Sequence, residues 1–216
     1  MIGTATRPSF TVLLGGALIP TSRLRSQVAG TRVIAADVGM AHAAVLGLSV
    51  ELWVGDFDSA STALQAVYSD VTRQVHPADK DKTDGEIAIE AAIGRGAGKL
   101  VLAGGLGGQT DHALGHLALL LSLARRGVEA FATSGAEEAY PLTAGRTRLQ
   151  LPVGSRLSVI AFSDLDSLHI KGVRWPLEAA AIAAGSTRTL SNIAQGDVEL
   201  ELGAGTGLVI AYPGGE

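Results

Sequence analysis

From Phe10 to about Thr133, short apolar runs alternate with amphipathic stretches, and no other feature of the chain constrains its fold more. A short apolar run reads as a strand buried on both faces, and a helix between two such runs makes the strands parallel. The predicted strands are Phe10–Leu14, Arg32–Ala35, Glu51–Val54, Thr72–Val75, Lys99–Ala103 and Glu129–Thr133. The predicted helices are Ser22–Ala29, Gly39–Leu46, Ser59–Tyr68, Asp84–Gly94 and Asp111–Arg126. Apolar residues surround the last of these almost completely, so it is expected to be buried. Arg7 and the apolar run Phe10–Ile19 imitate a short signal peptide. Gly15 and Gly16 interrupt that run and no Ala-x-Ala site follows, so a buried first strand is the better reading.

After about Gly135 the texture changes. Short apolar segments, Arg146–Leu151, Arg156–Phe162, Leu168–Val173, Val198–Leu202 and Gly207–Ala211, are separated by glycines and turn residues, the pattern of antiparallel strands. The expected fold class is therefore α/β: a parallel-sheet catalytic domain over residues 1–134, followed by a small antiparallel β-rich domain over residues 135–216.

Composition narrows the partners. A net charge of -4 on 216 residues lacks the electrostatic footprint of a nucleic-acid or anionic-membrane binder. No apolar stretch reaches the ~18 residues of a membrane span. A small-molecule substrate is expected. The chain contains no cysteine, which rules out disulfides, thiolate metal sites and cysteine nucleophiles and suits a reducing compartment; a cytoplasmic location is expected.

The acidic residues gather at predicted strand ends: Asp37 after the second strand, Asp56 and Asp58 after the third, Asp79, Asp81 and Asp84 after the fourth, and Asp111 after the fifth. In an open parallel sheet these carboxyl ends share one edge, where ligands bind. Massed carboxylates repel one another and call for a cation, and Mg²⁺ suits them because it takes oxygen ligands together with substrate phosphates. In Gly55-Asp56-Phe57-Asp58-Ser59, two carboxylates two residues apart on an extended segment are expected to project the same way. Each of Ser59, Asp84 and Asp111 also has the chemistry of a simple helix cap, with Thr83 the alternative to Asp84. In Gly104-Gly105-Leu106-Gly107-Gly108-Gln109-Thr110-Asp111-His112, four glycines lie between a strand and a helix, where backbone amides and the helix N-terminus favour an anion. The stretch lacks the Gly-Lys-Ser/Thr of a Walker A loop.

Taken in order, Ala36-Asp37-Val38-Gly39, Gly55-Asp56-Phe57-Asp58-Ser59, Lys80-Asp81-Lys82-Thr83-Asp84 and the glycine-rich stretch through His112 resemble the thiamine pyrophosphokinase family. Lys171-Gly172-Val173-Arg174-Trp175-Pro176-Leu177 and Ser191-Asn192 resemble its thiamine-side motifs. The resemblance implies an enzyme that moves the diphosphate of ATP onto thiamine with Mg²⁺, working as a homodimer with shared active sites. By position it implies Asp37, Asp56, Asp58 and Asp84 for the metal and phosphates, and Lys80, Thr83, Gln109 and Asp111 beside ATP. It implies Trp175 as the aromatic platform for thiamine, with Ser191 and Asn192 nearby. Asp56, Asp58, Asp84 and Asp111 form the implied catalytic set, with Asp84 and Asp111 the candidates for general base. Gln109 stands where the family usually has arginine, and Val38 where it usually has glycine, with Arg174 or Lys82 as compensating cations. A related pterin pyrophosphokinase, a haloacid-dehalogenase-like phosphatase using Asp56-Phe57-Asp58-Ser59, and a thiamine-binding protein inactivated at Gln109 are the alternatives.

Overall fold

The first apolar run becomes the centre of a parallel sheet. In the computed structural model, which describes residues 7–77, 79 and 81–214, β1 (Ser9–Leu13) pairs on one side with β2 (Arg32–Ala36) and on the other with β5 (Lys99–Ala103). Strands β3 (Leu52–Gly55) and β4 (Arg73–Val75) continue beyond β2, and β6 (Glu129–Thr133) lies beyond β5. The order is β6-β5-β1-β2-β3-β4, every pair parallel. Between β5 and β1 the chain's direction of travel across the sheet reverses. A crevice opens outside the carboxyl ends of the strands at such a switch point.

Phe10, Leu13, Ile34, Leu100 and Leu102 are fully buried along these strands, each burial contributing about 1.5–3 kcal/mol before entropy is counted. The helices follow from local caps. Thr21 caps α1 (Ser22–Val28) and Ser61 caps α3 (Thr62–Val67). Thr83 caps α4 (Asp84–Gly94), its Oγ1 accepting from the Glu86 amide at 3.2 Å. The predicted helix at Gly39 begins as a 3-10 turn over Asp37–Met40 and becomes α2 (Ala41–Leu46). The helix predicted from Ser59 starts three residues later, because Ser61 takes the capping role.

Helix α5 (Thr110–Arg125) departs from expectation. Only Leu120, Leu121 and Leu123 are buried, and Leu114 is 55% exposed. The apolar face that the sequence places all round the helix is covered only toward its C-terminal end in the single chain.

The chain divides into two units, Met1–His116 with Val128–Gly135, and Leu117–Gly127 with Ala136–Glu216. The strands of the second unit are antiparallel: β7 (Glu138–Leu149), β8 (Arg156–Ala161), β9 (Leu165–Val173), β10 (Leu177–Ile182) and β11 (Asn192–Tyr212). They run in the order β10-β9-β11-β7, with β8 also on β11. Their inward residues, among them Leu142, Val159, Leu168, Leu200 and Val209, form one core. Val198–Leu202 and Gly207–Ala211, read from sequence as separate strands, are halves of β11 joined through a register shift between Leu202 and Thr206. Strand β10 is absent from the sequence reading. Its Leu-Glu-Ala-Ala-Ala-Ile composition has Ile182 as its one β-branched residue and three alanines, and pairing with β9 imposes the extended form.

Candidate active site

The crevice at the switch point is a cleft of about 710 Å³, built by the loops that leave β1, β2, β3, β4 and β5. Backbone bonds from Leu14 N to Ala103 O at 2.8 Å and from Gly16 N to Gly104 O at 3.0 Å join the β1 loop to the glycine-rich loop. The two chains approach so closely that a side chain at Gly16 would strike the carbonyls of Gly104 and Gly107, and Gly104 itself lies at φ 79. Two histidines hold this floor. His42 Nε2 bonds Gly16 O at 3.0 Å, and His116 Nδ1 donates to Gly105 O at 3.0 Å. The donation leaves His116 Nε2 as the unprotonated nitrogen of the neutral ring. Burial lowers the His116 pKa, with His112 adding to the effect and the Gly105 bond opposing it.

Asp37 is the most constrained carboxylate of the cleft. Its backbone is in the left-handed region at φ 43, a conformation that costs a non-glycine residue about 1–2 kcal/mol. Two contacts enforce it: Trp53 Nε1 donates to Asp37 O at 2.8 Å, and Gly55 leaves room beside the Asp37 Cα. Oδ1 of Asp37 is buried without a hydrogen-bond partner. Burial raises the pKa of this carboxyl, Asp56 and then Asp84 push it further, and the Val38 amide and Ser59 hydroxyl oppose them. A site that crowds negative charge in this way is arranged for a cation.

Of the predicted residues, Asp37, Asp56, Thr83, Asp84 and Gln109 line the cleft, and Asp58 and Asp111 do not. Lys80 lies outside the described residues. The expectation that Asp56 and Asp58 project together fails because the segment is not extended. Phe57 adopts φ 66 and turns back to pack edge-on against Trp53 at 4.9 Å, with the Arg73 guanidinium 5.2 Å from its own ring. The Asp58 amide donates to the Asp56 carboxylate at 3.1 Å, and the Asp111 carboxylate accepts from the His112 amide at 2.9 Å. Of the two caps suggested for α4, Thr83 takes the role and Asp84 does not, and Ser61 rather than Ser59 caps α3.

Gly15, Gly16, Ser59, Asp81, Lys82, His112 and His116 also line the cleft. Consecutive glycines directly after an apolar strand are a legible sign of close backbone approach; His42 and His116 give no such sign. In the second unit, Trp175 is 53% exposed, with the Arg174 guanidinium 4.9 Å from its ring centroid. Ser191 adopts φ 61, and Asn192 bonds the Trp175 backbone.

The family model described as thiamin pyrophosphokinase, catalytic domain, matches residues 27–132, the span that holds Asp37, Asp56, Asp84 and the glycine-rich loop. Over that span the chain is similar to the thiamine pyrophosphokinase family. It is 28% identical over 142 residues to the thiamine pyrophosphokinase of Bacillus subtilis (strain 168), covering 64% of this chain and 66% of that one. The crystal structure of thiamine pyrophosphokinase from Bacillus subtilis superposes with a TM-score of 0.84 at 22% identity over 94% of this chain and 98% of the other. That of thiamin pyrophosphokinase from Geobacillus thermodenitrificans gives 0.80 at 26% identity, over 94% and 97%. Thiamin pyrophosphokinase from Candida albicans gives 0.77 at 12% identity, over 95% and 89%, a likeness of fold. Nothing in these matches favours a phosphatase or a pterin enzyme.

Within the thiamine pyrophosphokinase fold, the departure at residue 38 has a local explanation. A side chain on Gly15 would come within 2.6 Å of a Val38 methyl, so Val38 fills space that Gly15 leaves open. The departure at Gln109 leaves Lys82 as the lone lysine or arginine among the described residues that line the cleft, and it is paired with Glu86 at 3.3 Å. No helix of the described residues is long and apolar enough to cross a membrane.

Proposed function

We propose that the protein transfers the terminal diphosphate of ATP to thiamine, forming thiamine diphosphate and AMP. The observation that carries this reading is the cleft in which Asp37, crowded by Asp56 and Asp84, faces a floor of glycine loops. The triphosphate would lie along the backbone of Gly15, Gly16, Gly107 and Gly108, with α4's N-terminus and its Thr83 hydroxyl at one side. Gln109 would donate an amide hydrogen bond to a phosphate oxygen, and Lys82 would supply positive charge.

Mg²⁺ fits the donor set. It keeps several waters and draws part of its shell from substrate phosphates, so one or two carboxylates of the cleft suffice to hold it. The buried, unpartnered Asp37 Oδ1 is the oxygen best arranged to meet it. Asp37 would meet the ion, with Asp56 and Asp84 acting on it through their charge and through water; Asp58, outside the lining, is left out of the set. Bound there, the ion would neutralise charge on the β- and γ-phosphates.

The hydroxyethyl oxygen of thiamine attacks the β-phosphorus in line, its proton passing to water or to Asp84, the candidate base that lines the cleft. The new O–P bond forms as the bridge to the α-phosphate breaks, and that electron pair leaves on AMP. The chain's own part is positioning and electrostatics. Thiamine would stack on Trp175, whose face suits a thiazolium cation and an aminopyrimidine. We also read the protein as a cytoplasmic homodimer with shared active sites, a reading to which the exposed Leu114 on α5 lends support.

Incubation of the purified protein with thiamine, ATP and Mg²⁺, resolving AMP from ADP, tests the reading. AMP and thiamine diphosphate in equal amounts are expected. ADP with thiamine monophosphate, or free phosphate, would refute it.

A further inference from the structure

We infer that Asn192 is a positioning residue for the aromatic platform, its side-chain amide spanning the backbone of Trp175 and fixing the ring rather than meeting thiamine. This rests on the reading of Trp175 as that platform. Asn192 Oδ1 accepts from Trp175 N at 3.1 Å and from Ile193 N at 2.9 Å, and Nδ2 donates to Trp175 O at 2.7 Å. A backbone N–H only donates and a carbonyl only accepts, so these partners set which end of the amide is which. Both lone pairs of Oδ1 are then engaged, and one N–H remains.

The need for such a device follows from where Trp175 lies. The β9–β11 ladder runs out at Arg174, whose amide donates to Ile193 O at 2.8 Å. Trp175 stands in the link to β10 with half its surface in solvent. An exposed indole on an untethered link samples many orientations, and ordering it would subtract from ligand binding. Asn192 replaces the missing ladder bonds with two of its own. Ser191 aims it: its backbone turns through φ 61 while its amide donates to Ser158 Oγ at 3.0 Å. Arg174 lies against the ring, so one face of the tethered indole is already occupied and the other is presented.

The test compares wild type with Asn192→Ala, which removes both bonds to Trp175 along with the one from Ile193 N, and Asn192→Asp, which keeps the acceptor and loses the donor. Amide hydrogen exchange at Trp175 reads the tether without any substrate. Arg174, held by a backbone bond, is the internal control, and 5-fluorotryptophan NMR reads the ring, since the chain's other tryptophan, Trp53, is fully buried. In Asn192→Ala, Trp175 should lose protection while Arg174 keeps it. The KM for thiamine should rise roughly tenfold, the weight of one to two hydrogen bonds, with the KM for ATP within about twofold, and Asn192→Asp should recover part of the loss. Unchanged exchange at Trp175 in both variants overturns the tether. Lost protection with an unchanged thiamine KM, where Trp175→Ala raises it, overturns the positioning role. A Trp175→Ala protein with normal thiamine KM refutes the platform itself, a failure read separately from the exchange data.

Discussion

Replacing Asp37 with asparagine should stabilise the protein and stop it working. Three features of the folded state bear on the carboxylate: burial, the like charges of Asp56 and Asp84, and a backbone at φ 43. The first two raise its folded pKa above the ordinary 3.8. Stability from this group is therefore fully present below the unfolded carboxylate pKa and is lost as pH rises through the folded value; at neutral pH the whole penalty is felt. Asparagine carries no charge, and it enters the left-handed region more readily than most residues. Asp37 is only half-buried, and solvent screening limits the electrostatic part, so we expect a gain of about 1 kcal/mol at pH 7. For a chain of this length that is roughly 2–4 °C in Tm. Thermal unfolding followed by circular dichroism, without Mg²⁺, at pH 7 and again near pH 3 measures it. The gain should shrink at the acid pH, where Asp37 is protonated in both states. Mg²⁺ with ATP should raise the wild-type Tm by mass action and leave the variant nearly unmoved, and turnover should fall by ~100-fold or more. A variant that melts at or below wild type at pH 7 would refute the claim that this site stores repulsion for a cation.

Asp56→Asn should likewise cut kcat severely with the fold intact, and near-normal turnover at saturating Mg²⁺ would contradict its place beside the ion. Gln109→Arg should lower the KM for ATP by adding a charged, bidentate donor where an amide now stands; a higher KM would mean Lys82 already fills that space. His116 has a lowered pKa, so its contribution to stability is lost as pH falls below the unfolded value of 6.5. His116→Asn should flatten the decline in Tm between about pH 6.5 and 5, and an unchanged slope would show that other groups cause it.

Much of the first unit was legible because its signals are local. The apolar runs marked β5 and β6 at their observed ends, Lys99–Ala103 and Glu129–Thr133, and Asp84–Gly94 was readable as α4 from its own periodicity and cap. The alanine-rich β10 was hidden, since neighbouring β9 and not its own composition makes it a strand. Helix α5 misled in the opposite way, its apolar surface exceeding what a single chain covers.

The carboxylates show where the division falls. By itself the sequence determined that acidic residues and glycines follow successive strands of an α/β fold, because strand ends and turn chemistry are written in neighbouring residues. Only the tertiary structure decided which of them face one cleft. Phe57 packs on Trp53 and takes Asp58 out of the lining, Trp53 pins Asp37 in a strained turn, and Gly16 meets Gly104 across 88 positions of chain. The same holds for Asn192, which as sequence is a turn residue and as structure tethers Trp175. Contacts between distant segments depend on how the strands are ordered and registered, and no local pattern encodes them.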